Sequence, residues 1–159
     1  MFKKIIPIII LLVSFVLSAI SQKNDAGLNN KAQTLELNKA AGLIKHHVVI
    51  QLSSSDSLVW KGVVNNIKHL KDSWGDSVQI ELVAHGPGVE MFITTKTTEH
   101  KKITDLKKIG VSFFVCENTL KTRNISKELI IPEAGFVPSG VAEIIMKQEQ
   151  GWSYLKAGF

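Results

Sequence analysis

Cys116 is the only cysteine in this 159-residue sequence. It stands in GVSFFVCENTL, where an apolar run gives way to a polar one. A single cysteine cannot close an internal disulfide, so three roles are open to it: buried filler, an intermolecular bridge, or a reactive thiol. The reactive role needs the thiolate, which is the form that attacks sulfur or binds a metal. A helix starting directly after the strand would favour that form through its N–H groups and dipole. Asn118 and Thr119 stand where they could add hydrogen bonds, whereas the carboxylate of Glu117 works against the charge.

His85 is the second candidate. It ends the run SVQIELVAH, just before the turn GPG. It could serve as a general base, stabilise a thiolate, or join Cys116 as a metal ligand. The plainer reading is a histidine that caps a strand end by hydrogen bonding, and two ligands are too few to define a metal site. Glu81 interrupts the apolar face of a central-looking strand, so it is expected to face an opening or to meet a partner chain. Asp56 reads as the cap of the first long helix, with a lining role in the site as the alternative. His46 and His47 open a strand at its far end and His69 and His100 fall on helices, so these four are read as surface residues.

Several chemistries are excluded by pattern. The chain has no G-x-x-x-x-G-K-[ST], G-x-G-x-x-G or G-x-S-x-G, no C-x-x-C and no metal-spaced Cys/His pair. The hydroxyl-rich SSSDS lacks the glycine that lets backbone approach a phosphate. No cofactor is expected.

The elements that must hold these residues alternate between strand and helix. HHVVIQL is a β-branched strand, and SSSD is a loop with helix-capping chemistry at Ser55 or Asp56. Trp60, Val63, Val64, Ile67, Leu70 and Trp74 then recur at helical spacing up to Gly75. SVQIELVAH is a second strand, followed by a short helix over Val89–Thr94 whose first turn holds Pro87. A helix over Glu99–Ile109 leads to VSFFVC, an apolar strand expected to be buried on both faces. A mostly helical connection follows in ENTLKTRNISKELI, and GFVP is a short fourth strand. SGVAEIIMKQEQG is a helix with Val141, Ile144, Ile145 and Gln148 along one stripe, and WSYLK closes as a strand. The alternation predicts a three-layer α/β/α sandwich with a mostly parallel sheet of about five strands. Ligands of such sheets gather beyond the carboxyl ends of the strands, which points to the loops SSSD, HGPG and CENT.

The chain opens MFKKIIPIIILLVSFVLSAISQK, with Lys3 and Lys4 before an apolar stretch and small residues Ala19 and Ser21 at a cleavage site. Residues 1–21 are read as a secretory signal, in preference to a membrane anchor, because the run is short and contains Pro7. Residues 22–45 are a polar tether, with a helical turn around Leu35–Ala41, and 46–159 form one domain. The formal charge is +5, and removing Lys3 and Lys4 leaves +3. That excess is scattered, with Lys101-Lys102 and Lys107-Lys108 on a solvated helix face, so no nucleic-acid partner is expected. Export would leave no membrane contact after cleavage and places the protein in the periplasm.

Taken in order, HHVVIQLSS, NNIKHL, IELVAHGPGVEMF, GVSFFVCENTL and ELIIPEAGFVPSGVAEIIMKQEQGWSYLK resemble the DsrE/DsrF-like family over residues 46–156. The V-C-x-N-T step and the closing V-P-S-G-V-x-E-I…Q-x-x-G-W-x-Y string carry the resemblance together. It implies a parallel α/β sandwich that assembles as a homotrimer or homohexamer. It also implies a persulfide on the cysteine after a central strand, which here is Cys116. His85 and Asn118 fall at motif positions without an implied chemistry. The expected function is a periplasmic sulfur carrier with an unidentified donor and acceptor. The alternative is an oligomeric, non-catalytic binding module for a small ligand or metal.

Overall fold

The computed structural model describes residues 42–158, together with Gln33, Thr34 and Leu37. The signal expected over 1–21 and most of the tether over 22–45 lie outside the described residues. The compact unit runs Ile44–Phe159. Among the described residues, no helix is long and apolar enough to cross a membrane.

The unit alternates as the hydrophobic pattern requires. Strand β1 (His46–Leu52) leads to helix α1 (Ser57–Trp74), and β2 (Val78–Ala84) follows a 3-10 turn over Gly75–Ser77. A 3-10 helix over Gly86–Phe92 takes the place of the short helix expected at Val89–Thr94, with Pro87 in its first turn. Helix α2 (His100–Lys108), β3 (Ser112–Cys116) and helix α3 (Glu117–Thr122) come next. A 3-10 turn at Lys127–Leu129, β4 (Gly135–Val137), helix α4 (Gly140–Glu149) and β5 (Ser153–Ala157) complete this unit.

The five strands form one sheet in the order β4-β3-β2-β1-β5. Every pair is parallel, with Leu52 opposite Ala84, Cys116 opposite Val137 and Leu52 opposite Ala157. Handedness then decides the layers. The steps β1→β2→β3→β4 all move the same way, so right-handed crossovers put α1, α2 and α3 on one face. Only the return from β4 to β5 reverses direction, and it carries α4 behind the sheet. The result is a three-layer α/β/α sandwich of unequal layers.

The inner face below α1–α3 holds the main core, with Ile50, Leu52, Ile80, Leu82, Phe113 and Val115 packed on Val64, Ile67 and Ile103. The opposite face holds a small cluster of Val49, Val83, Val137, Ile144 and Trp152 beneath α4. This imbalance corrects two expectations. Phe114 is only half-buried, so β3 is not enclosed on both faces among the described residues, where α4 alone covers that side. Along α4, Ile144 is buried, whereas Val141 is 53% and Ile145 49% exposed. Helix α4 therefore docks through Gly140 and Ile144, and its 141/145 stripe faces away from the sheet.

Candidate functional site

All five strands point the same way, so the loops after β1, β2 and β3 share one edge of the sheet. The segment Pro138-Ser139-Gly140 after β4 joins them there. Cys116 ends β3 and is the capping residue of α3, without a regular capping hydrogen bond from its thiol. The sulfur lies where the starts of α3 and α4 converge. Burial pushes the thiol up, but the Thr119 hydroxyl and the backbone N–H groups of Gly140, Thr119 and Asn118 outweigh it. Together they hold Cys116 below the ordinary thiol range. The two residues singled out after the cysteine therefore act on it, Thr119 through hydroxyl and backbone and Asn118 through its backbone alone.

The loops are laced together by backbone contacts. Asn118 N–H donates to Pro138 O at 3.2 Å. Gly86 N–H donates to Thr119 Oγ1 at 3.0 Å. With its oxygen taken up by Gly86, Thr119 keeps its hydroxyl proton for the sulfur. His85 N–H donates to Leu52 O at 3.0 Å, which brings the 3-10 helix against the end of β1. Gly88 makes that approach possible, since a Cβ there would stand 2.3 Å from Leu52 O.

Gly140 is where α4 comes closest to the site. A Cβ at this position would lie 3.1 Å from His85 Cβ, 3.2 Å from Cys116 Cβ and 3.3 Å from Val83 Cγ1. The two candidate side chains thus flank one point, and the absent side chain lets α4 begin against both. Ser139 caps that helix by accepting from Ala142 N–H at 3.4 Å.

His85 is held by neighbours across the sheet. Gln51 Nε2 lies 2.6 Å from His85 Nε2, and the Tyr154 hydroxyl donates to Gln51 Oε1. Burial holds the His85 ring below the ordinary histidine value.

The remaining candidates lie apart. Asp56 Oδ1 accepts from Leu58 N–H at 2.8 Å and caps α1, its expected structural role. Glu81 is turned into the chain: its carboxylate meets Lys147 of α4 at 2.7 Å, and both side chains are largely buried. Lys147 also lies over the Trp152 ring, 4.5 Å from its centroid. His69 is exposed, while His46, His47 and His100 are half-buried. His46 stacks on Trp74 with centroids 4.1 Å apart. Among the described residues, no three or more His, Cys, Asp or Glu side chains gather as a metal site.

Sequence reasoning missed Gly140, Gln51 and Tyr154 as parts of the site. Gln51 carried a faint signal as the one polar residue after the two opening histidines of β1. Gly140 carried another, as the glycine at the start of a helix.

The model of the DsrE/DsrF-like family matches residues 15–157. The chain belongs to this family. Among solved structures it is similar to MTH1491, a protein of unknown function from Methanobacterium thermoautotrophicum. That match has 27% identity and a TM-score of 0.67, covering 70% of this chain and 99% of that one. It also shares its fold with BT1422, a conserved protein of unknown function from Bacteroides thetaiotaomicron. There the identity is 13% and the TM-score 0.52, over 69% of this chain and 93% of the other. None of the curated proteins matches the chain. DsrE/DsrF-like membership and the five-stranded parallel sheet agree with the expectation drawn from the motifs.

Proposed function

We propose that this DsrE/DsrF-like protein handles sulfur, holding a sulfane sulfur as a persulfide on Cys116. One observation carries the reading: the thiol lies at two converging helix starts, where Thr119 and three backbone N–H groups favour its charged form. Those groups would also favour negative charge on a persulfide held there. In the loading step the Cys116 thiolate attacks the outer sulfur of a donor R–S–SH. The new S–S bond forms on Cys116, the donor's S–S bond breaks, and the donor thiol leaves with the electron pair as RS⁻. Nothing is oxidised overall. Passing the sulfur on repeats the step with an acceptor thiolate, and since the chain has no second cysteine the acceptor is another molecule.

The signal-like residues 1–21 support export to the periplasm as part of the same reading. Family resemblance and the half-covered sheet face favour a homotrimer or homohexamer.

The binding-module reading keeps one observation in its favour. Cys116 is only 4% exposed, so a donor must present a slim sulfur end. Intact mass of the mature protein separates the two readings, measured before and after a small sulfane donor, with Cys116→Ser alongside. The carrier gains one sulfur atom that reductant removes and that Cys116→Ser lacks. No gain, together with a thiol that reagents label only in denaturant, would overturn it in favour of the binding module.

A further inference from the structure

Three side chains, from β5, β1 and the residue that follows β2, form a chain of hydrogen bonds that ends beside the cysteine. Tyr154 of β5 donates its hydroxyl proton to Gln51 Oε1. Gln51 of β1 turns its amide nitrogen to His85 Nε2 at 2.6 Å. His85 follows β2, and its Cβ and that of Cys116 lie 3.1 and 3.2 Å from the one point that a Gly140 side chain would fill. With Oε1 of Gln51 taking the Tyr154 proton, its amide nitrogen faces the ring as a donor, and in that orientation the imidazole nitrogen opposite it accepts. A ring that accepts at Nε2 is neutral and carries its proton on Nδ1.

We infer that Gln51 and Tyr154 are positioning residues that keep His85 neutral with its proton on Nδ1, so that His85 stands beside Cys116 as a neutral ring and not as its base. The inference rests on Cys116 as the reacting group, and it specifies how the thiolate arises. No Cys–His ion pair forms. The charge is stabilised by Thr119 and the N–H groups alone.

The charged groups around the ring fit this reading. Glu81, on the same strand, is spent on Lys147. Glu143 of α4 lies 3.5 Å from that same lysine. Lys156 stands opposite Gln51 in the sheet and is exposed. Glu117 is paired with Lys127. Burial, with no charged partner, is what lowers the ring's proton affinity.

Two-bond 1H–15N spectra of 15N-histidine-labelled protein, with His85 assigned by its loss in His85→Asn, read the tautomer directly. The expected result is an Nδ1–H ring titrating below the ordinary 6.5. Gln51→Glu should raise that midpoint above 6.5, by putting a carboxylate at Nε2. Tyr154→Phe should admit the other tautomer. An Nε2–H ring in the unaltered protein, or a midpoint that ignores Gln51→Glu, would overturn the inference. The rate of Cys116 alkylation against pH supplies the functional readout. It should show one ionisation, with a midpoint that His85→Asn barely moves. A tenfold or greater loss of thiolate in His85→Asn would mean an imidazolium partner and would also overturn it. A protein with the expected tautomer and pH profile that takes up no sulfur would sink the carrier reading while the positioning roles stand.

Discussion

Lys147→Met tests how α4 is held against the sheet, and with it the position of Gly140 over Cys116. The variant keeps most of the side-chain stem and removes the charge that faces Glu81 Oε2. The second carboxylate oxygen, Oε1, is buried without a hydrogen-bond partner. Left alone, Glu81 can stay charged, at about 3–5 kcal/mol for an unpaired buried charge. It can instead take a proton. From an ordinary value of 4.5, protonation at pH 7 costs about 3.4 kcal/mol, at about 1.36 kcal/mol per pH unit. The cheaper route sets the ceiling: roughly 3.4 kcal/mol at pH 7 and about 1.4 kcal/mol at pH 5.5. Loss of the contact with Trp152 adds about 0.5–2 kcal/mol with no pH dependence.

The sign follows from Glu81 itself. Burial pushes its carboxyl up, against the pull of Lys147. The folded chain therefore holds this proton more tightly than the unfolded one. That contribution to stability is fully present below 4.5 and is lost as pH rises through the raised value. Removing Lys147 raises the value further and extends the window upward. Urea unfolding of both proteins between pH 7 and 5.5 should show the deficit shrinking by about 2 kcal/mol across the range. A deficit that stays flat would refute the reasoning, since an unpaired carboxylate could not then be its source. Glu81→Leu combined with Lys147→Met should recover most of the loss.

Other positions give further tests. Gly88→Ala would set a Cβ 2.3 Å from Leu52 O and should cost about 3 kcal/mol or more, read as a lower urea midpoint. Gly140→Val should move the start of α4 away from the sulfur, costing up to about 1 kcal/mol of dipole stabilisation, or roughly fivefold slower alkylation of Cys116 at neutral pH. At Glu133, burial raises the carboxyl, but the Thr104 hydroxyl, a backbone N–H and His100 prevail and hold it below its ordinary range. Stability from that group is present above the ordinary carboxylate value and lost as pH falls through the lowered one. Thr104→Val should thus cost about 1.5–3 kcal/mol at pH 7 in urea unfolding, with the penalty shrinking in acid. An equal penalty at both ends would place the loss elsewhere.

The fold was legible because its signals are local and repeated. β-Branched runs in HHVVIQL and SVQIELVAH and the helical spacing of Trp60, Val63, Val64 and Ile67 need no knowledge of distant residues. Asp56 as a cap follows from chemistry within two residues of itself. The short helix after Pro87 tightened to 3-10 geometry because Gly88 lets that segment press on the end of β1. Local periodicity carries no trace of that contact. The outward stripe of Val141 and Ile145 shows the same limit. Their spacing says that they share a face, and only the docking of α4 says which way the face points.

The sequence by itself determined the alternation of strand and helix, the parallel sheet that follows from it, and the placing of Cys116 at a strand end. These depend on residue spacing and on the handedness of L-amino-acid chains. The tertiary structure alone decided which groups surround the sulfur. Gly140 lies 24 residues after Cys116 and Gln51 lies 34 before His85, separations over which no periodic pattern extends. Gln51 and Tyr154, the two ends of one hydrogen bond, are 103 residues apart. They meet because β5 returns to the far side of β1, a consequence of sheet order that can be read only once all five strands are in place.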